Sequence, residues 1–173
     1  MGTRSLTHVA DEHGTVLCTM YRQFDGYPEG HGDELAQFLR EFSVGNGINE
    51  EKGKIANSMG CLAAQLVANF KDGPGGICLE APGVEGCWEE YIYTVYQGND
   101  SIRGTDNQVA YIKCVNVYTK RVLFDGPAAS FIGADAKHIA RSTDAKCIWC
   151  DREFKHPAHA RNHYAARHDE AVP

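Results

Sequence analysis

The chain has 173 residues, 43% of them hydrophobic and 23% charged, with a formal net charge of −6, which fits a globular body of medium size plus a small appendage. No apolar run approaches the roughly 20 residues that span a bilayer. The opening Met1-Gly2-Thr3-Arg4 has neither a hydrophobic signal segment nor, with Leu6 in sixth place, a myristoylation pattern, so a cytoplasmic location is expected.

The first residues read as a hairpin: Ser5–Ala10, a turn at Asp11-Glu12-His13-Gly14, then Thr15–Phe24. The run Asp25-Gly26-Tyr27-Pro28-Glu29-Gly30-His31-Gly32 is full of chain breakers. A helix is predicted over Asp33–Phe42, where Leu35, Phe38, Leu39 and Phe42 recur at helical spacing and Asp33 stands as its N-cap. A second helix is predicted over Lys54–Lys71, with an apolar stripe of Ile55, Met59, Leu62, Leu66 and Phe70, and Gly73-Pro74-Gly75-Gly76 ends it. Strands follow at Ile77–Glu80, Glu89–Gln97, Val109–Tyr118 and Arg121–Phe124, all β-branched or aromatic in character. Strands joined by short turns pair antiparallel. The predicted architecture is therefore an α+β core over residues 1–125: an antiparallel sheet covered by two helices on one face. Residues 126–146, rich in small side chains, read as a linker with one short helix around Asp135–Arg141.

Charge is divided unevenly. Residues 1–140 hold 11 Lys/Arg against 18 Asp/Glu, and an acidic body is a poor surface for phosphate backbones. The seven cysteines are an odd number, and with no signal segment they do not suggest a disulfide framework. Cys18, Cys61 and Cys114 fall in apolar patterns as core residues. Cys78 and Cys87 flank a Gly- and Pro-rich turn, where a second metal pair is conceivable.

Cys147-Ile-Trp-Cys150, twelve residues, His163, four residues and His168 form the strongest chemical signal in the chain. Two thiolates on a tight turn and two imidazoles on a following helix supply the tetrahedral set that Zn²⁺ requires. Phe154 stands four residues after Cys150, and Ala160 three before His163. With these residues the segment 147–173 resembles a C2H2-type zinc finger, which implies a ββα fold around a structural zinc held by Cys147, Cys150, His163 and His168. It departs from that family in carrying Ala160 where Leu is usual and Ala145 where an aromatic is usual, so metal ligation must supply most of its folding energy. The resemblance places His156, His159 and Asn162 at base-reading positions, with Arg161 near phosphate. A single finger serves equally as a protein-contact module. A redox Cys pair needs a thioredoxin-like setting that is absent, and a zinc deaminase needs acidic and Pro-Cys partners that this chain lacks.

In the body, Arg22, Asp25, Tyr27 and His31 gather where a strand ends and a helix begins, a common place for a small-molecule site. Gly30 and Gly32 would let a ligand approach the backbone. The dinucleotide fingerprint is not met, since the third glycine is missing, and Asp33 and Glu34 at the helix start disfavour phosphate. The alternative to a ligand site is a connector with a capped helix. The opening Met-Gly-Thr-Arg and the run Tyr21–Gly32 resemble uncharacterised bacterial and phage proteins, a likeness that implies a mobile-element-linked accessory role but no reaction. The expectation is a zinc-finger-bearing binding or accessory protein whose finger contacts nucleic acid or a protein partner. The alternative is a nucleotide-type small-molecule binder or hydrolase using residues 21–33, with the finger for assembly. The adjacent acid pairs Glu50/Glu51 and Glu89/Glu90 do not face each other on a helix or strand, and read as solvated charges.

Overall fold

The computed structural model describes residues 2–45, 54–99, 108–141, 145–146 and 153–154. In chain order the body runs β1 (Ser5–Ala10), β2 (Val16–Arg22), a single π-helical turn (Pro28–Gly32), α1 (Asp33–Leu39), β3 (Phe42–Gly45), β4 (Lys54–Asn57) and α2 (Ser58–Phe70). It continues with β5 (Ile77–Glu80), β6 (Tyr91–Asn99), β7 (Gln108–Asn116), β8 (Arg121–Pro127), a 3-10 turn (Ala128–Ser130) and α3 (Gly133–Arg141). Beyond it, β9 (Ala145–Lys146) pairs antiparallel with β10 (Glu153–Phe154).

The α+β class holds, but the sheet is mixed rather than antiparallel. Its strand order is β4-β3-β7-β6-β1-β2-β5, with β8 paired to β7. The hairpin β1–β2 forms as its sequence suggests, and Asp11 Oδ1 fixes the turn by accepting the backbone N–H groups of His13 and Thr15 at 2.9 and 2.8 Å. Two pairings are parallel, β1 with β6 and β3 with β4. The long excursion through α1 and α2 makes the first possible: it carries the chain across one face and lets β6 enter beside β1 in the same direction. β7 serves three neighbours. Its whole length pairs with β6, while its opposite margin meets β3 at its first two residues and β8 from Tyr111 onward.

The helices bury one face each against this sheet. Leu35, Ala36 and Leu39 of α1, with Met59, Leu62, Ala63 and Leu66 of α2, are spaced to form single apolar stripes. They meet Val9, Met20, Tyr93, Val95, Ile112 and Cys114 from alternate positions of the strands, forming one core. α2 begins at Ser58 rather than Lys54, because the preceding four residues extend beside β3. Of the expected linker 126–146, Ala128, Phe131 and Ala136 are core residues, and the Phe131 ring meets that of Phe124 edge-on at 5.0 Å.

Asp33 does not cap its own helix. Its Oδ1 accepts the backbone N–H of Gly133, at 2.7 Å, so it caps the start of α3 instead. Lys71 closes the far end of α2 by donating to the carbonyls of Gly75 and Ile77 at 3.1 and 2.8 Å.

The junction from β4 into α2 turns on Ser58, whose φ is +74°. A side chain in that left-handed region strains the backbone and glycine does not. Ser58→Gly should therefore stabilise the protein by about 0.5–1 kcal/mol, read as a higher urea midpoint with unchanged slope. A lower midpoint would mean that the Ser58 side chain contributes more than its backbone costs.

Candidate functional site

The site expected around residues 21–33 is built by three elements. β2 ends at Arg22, the chain reverses through Phe24–Tyr27, and the π-helical turn delivers His31 back beneath β1 and β2. Asp25 takes φ +56° to make that reversal, and its carbonyl accepts the His31 backbone N–H at 2.8 Å.

His31 is fully buried. Its ring stands edge-on to Phe70 and Tyr93, at 5.2 and 5.4 Å. Arg22 Nη1 lies 3.0 Å from Nδ1, and Thr7 Oγ1 2.8 Å from Nε2. A guanidinium has protons to give and no lone pair to offer, so Nδ1 is the acceptor and the ring proton sits on Nε2, donating to Thr7. Both nitrogens are thus committed and the tautomer is fixed. Protonating Nδ1 would break the Arg22 bond and bury a cation beside another. Accordingly, burial first and the Arg22 charge second push the His31 pKa down to about 3. At neutral pH the ring is uncharged and holds no spare site for a proton.

Arg22 is committed as well. It pairs with Glu34 of α1 and donates through Nε to the Phe24 carbonyl at 2.8 Å. The result is a polar chain running outward through Thr7, His31, Arg22 and Glu34. Of the four expected residues, Arg22 and His31 are brought together, while Asp25 and Tyr27 are exposed on the reversal. Three further residues complete the arrangement: Thr7, which went unread in the sequence, Glu34, which was read there only as a charge disfavouring phosphate, and Tyr93. Tyr93 donates from its buried hydroxyl to the Gly26 carbonyl at 3.0 Å, fixing the start of the run Gly26–Gly32.

The glycines of this run admit the protein's own groups rather than a ligand. A Cβ on Gly30 would stand 2.5 Å from the Asp25 carbonyl oxygen, and one on Gly32 would stand 2.8 Å from the Phe131 ring. Beside the polar chain, Glu34, Gln37, Phe38, Glu41, Asn69 and Phe70 line a shallow groove of about 420 Å³ between α1 and α2. Its rim carries two carboxylates, an unfavourable surround for phosphate.

Cys78 lies exposed on β5, and the thiol of Cys87 is pushed up, by burial first and then by Glu89 and Glu80. Among the described residues no group of three or more His, Cys, Asp or Glu side chains is arranged to hold a metal ion. Cys147, Cys150, His163 and His168, and likewise His156, His159, Arg161 and Asn162, lie outside the described residues. What is described is the pair of strands that flanks the cysteines in sequence. Glu153 faces Lys146 and Phe154 faces Ala145, antiparallel. No helix among the described residues is long and apolar enough to cross a membrane.

No protein-family model, curated protein or solved structure matches the chain.

Proposed function

We propose that this is a binding or accessory protein whose C-terminal segment is a zinc-held contact module and whose α+β body is its support. The observation that carries the reading is the antiparallel pairing of Ala145–Lys146 with Glu153–Phe154 around the Cys147/Cys150 pair. Cys147 and Cys150 fall between these two strands in sequence, and with His163 and His168 following at finger spacing they would supply the donor set of a closed structural zinc. Bound there, zinc would supply folding energy rather than chemistry.

The body supports binding over catalysis. Its most conspicuous polar residues, Arg22 and His31, are spent on each other and on Thr7, Glu34 and the chain reversal. A hydrolase acting at this site would need a base with a free lone pair, and the fixed tautomer of His31 offers none. The acidic balance of residues 1–140 favours a protein partner over nucleic acid for the finger.

Metal analysis of the full chain should find one zinc per molecule, lost in His163→Ala. Wild-type protein purified without zinc, and taking none up on titration, would sink the proposal. Steeply salt-dependent DNA binding that vanishes in His163→Ala would keep the zinc module and replace the protein partner with nucleic acid.

A further inference from the structure

The face of the sheet opposite the helices carries a second buried polar cluster. His8 of β1 and Thr19 of β2 face each other across the hairpin, both buried, and Nδ1 lies 2.8 Å from Thr19 Oγ1. The segment 81–90, between β5 and β6, lies over them. Gly83 donates its backbone N–H to Thr19 Oγ1 at 2.9 Å. Gly86 donates to Oε1 of Glu89, also at 2.9 Å, while the other carboxylate oxygen of Glu89 is buried with no hydrogen-bond partner. We propose that residues 81–90 form an acid-released flap over this face of the sheet, with His8 as its sensor.

The contrast with His31 carries the argument. A threonine hydroxyl both gives and takes a hydrogen bond, so Thr19 can serve His8 in either protonation state. Nothing in the bonding blocks a proton from His8; only its surroundings do. Under the closed flap burial lowers its pKa, against the opposing pull of Glu85 and Glu89. Lifting the flap returns the ring to water and to the ordinary value of 6.5. The open form therefore binds the proton more readily: closure is complete above pH 6.5 and weakens as pH falls below it.

The remaining neighbours do not reverse this sign. From β2 the other titratable group on this face is Tyr21, opposite Leu6, and from β5 come Glu80, opposite Thr19, and Cys78, opposite Tyr21, none of which moves with the flap. From β6 the residue beside His8 is Thr94, which does not titrate, and Lys113 lies one strand further, on β7. The flap itself brings Glu85, Glu89 and Cys87.

The segment is held at its far end and tied lightly in its middle. Glu90 donates its N–H to the Arg4 carbonyl and accepts from the Val117 N–H, both at 2.9 Å. The bond from Gly83 to Thr19 joins the middle to the sheet, the Gly86 bond to Glu89 lies within the segment, and Gly83, Gly86 and Trp88 stand at φ +77°, +83° and +66°. Trp88 is 72% exposed, so its side chain adds little to closure. Opening would hydrate the orphaned oxygen of Glu89, offsetting part of the lost bond from Gly83 to Thr19.

Hydrogen exchange of peptides covering 81–90, corrected for intrinsic rates and compared at pH 7.5 and 5.5, tests the flap. Its opening should increase several-fold in wild type, within the limit of about tenfold per pH unit that one proton allows, while β7 peptides stay protected. In His8→Gln the increase should disappear. Equal opening at both pH values would overturn the proposal, as would a wild-type response in His8→Gln or a parallel loss of protection in β7. Should that variant not fold, the His8 ring and the Gly83 and Gly86 amides can be titrated by NMR in wild type. Shared midpoints would support the flap and separate midpoints would refute it.

Discussion

Replacing His31 with alanine should destabilise the protein by about 3–5 kcal/mol at pH 7.5, the range for a large buried side chain that also leaves polar partners stranded. The ring is fully buried between Phe70 and Tyr93, and its loss leaves a cavity between them. It also strips Thr7 Oγ1 of its donor and Arg22 of one acceptor. The variant should show a second change that a merely large side chain would not produce. In the fold His31 titrates at about 3, against 6.5 when unperturbed. Between those values the unfolded chain binds a proton that the folded chain refuses, so the folded state is favoured fully above pH 6.5 and loses ground as pH falls toward 3. At about 1.4 kcal/mol per pH unit this acid sensitivity is large, and His31→Ala should flatten the dependence between pH 6 and 4. Urea midpoints across that range decide the matter. A loss below about 1 kcal/mol, or an unchanged pH slope, would show that the ring is not the buried neutral group described.

Gly26→Ala should rank beside it, at about 2–4 kcal/mol, because nothing near the added methyl can yield. A Cβ there would stand 2.7 Å from the Ser5 backbone nitrogen and 2.8 Å from the Arg4 carbonyl carbon. Ser5 is the first residue of the strand that pairs with both β2 and β6, and shifting it would disturb two ladders. Gly26 is held in place from above, since its carbonyl accepts the buried Tyr93 hydroxyl. Gly14 provides the control. It has φ +82° and open space around it, so Gly14→Ala should cost only about 1 kcal/mol, the backbone term alone. If the two variants melt together, the close approach at Gly26 is relieved elsewhere and the argument from contact fails.

The elements legible in the sequence were those whose signal is local. The β1–β2 hairpin announces itself in Asp11-Glu12-His13-Gly14, and α2 in the spacing of Met59, Leu62 and Leu66. β3 and β4 escaped because four residues are too few to show a period, and Phe42 and Ile55 suit a helical stripe as well as a strand. The parallel pairing of β1 with β6 has no local signature, since Thr7 meets Tyr93 only after the helices have carried the chain across. The site was half legible for the same reason. Arg22 and His31 stand out in a run of glycines, but their partners Thr7 and Glu34 are ordinary residues in ordinary elements. Only tertiary placement decides whether an arginine and a histidine await a ligand or satisfy each other. The zinc proposal for Cys147, Cys150, His163 and His168 rests on their spacing in the sequence, because these residues lie outside the described ones.

The sheet's margins bear on how this protein behaves in a crowded solution. β4 and β5, at the two ends of the strand order, have four residues each, and the third margin, β8, is interrupted by a bulge opposite Cys114/Val115 and ends in Gly126-Pro127. An exposed strand is a template for another chain only where it is long, flat and regular in its free N–H and C=O groups. Among the described residues no margin offers that, so the eight-stranded sheet presents a neighbouring chain with no long, regular edge on which to add a ninth strand.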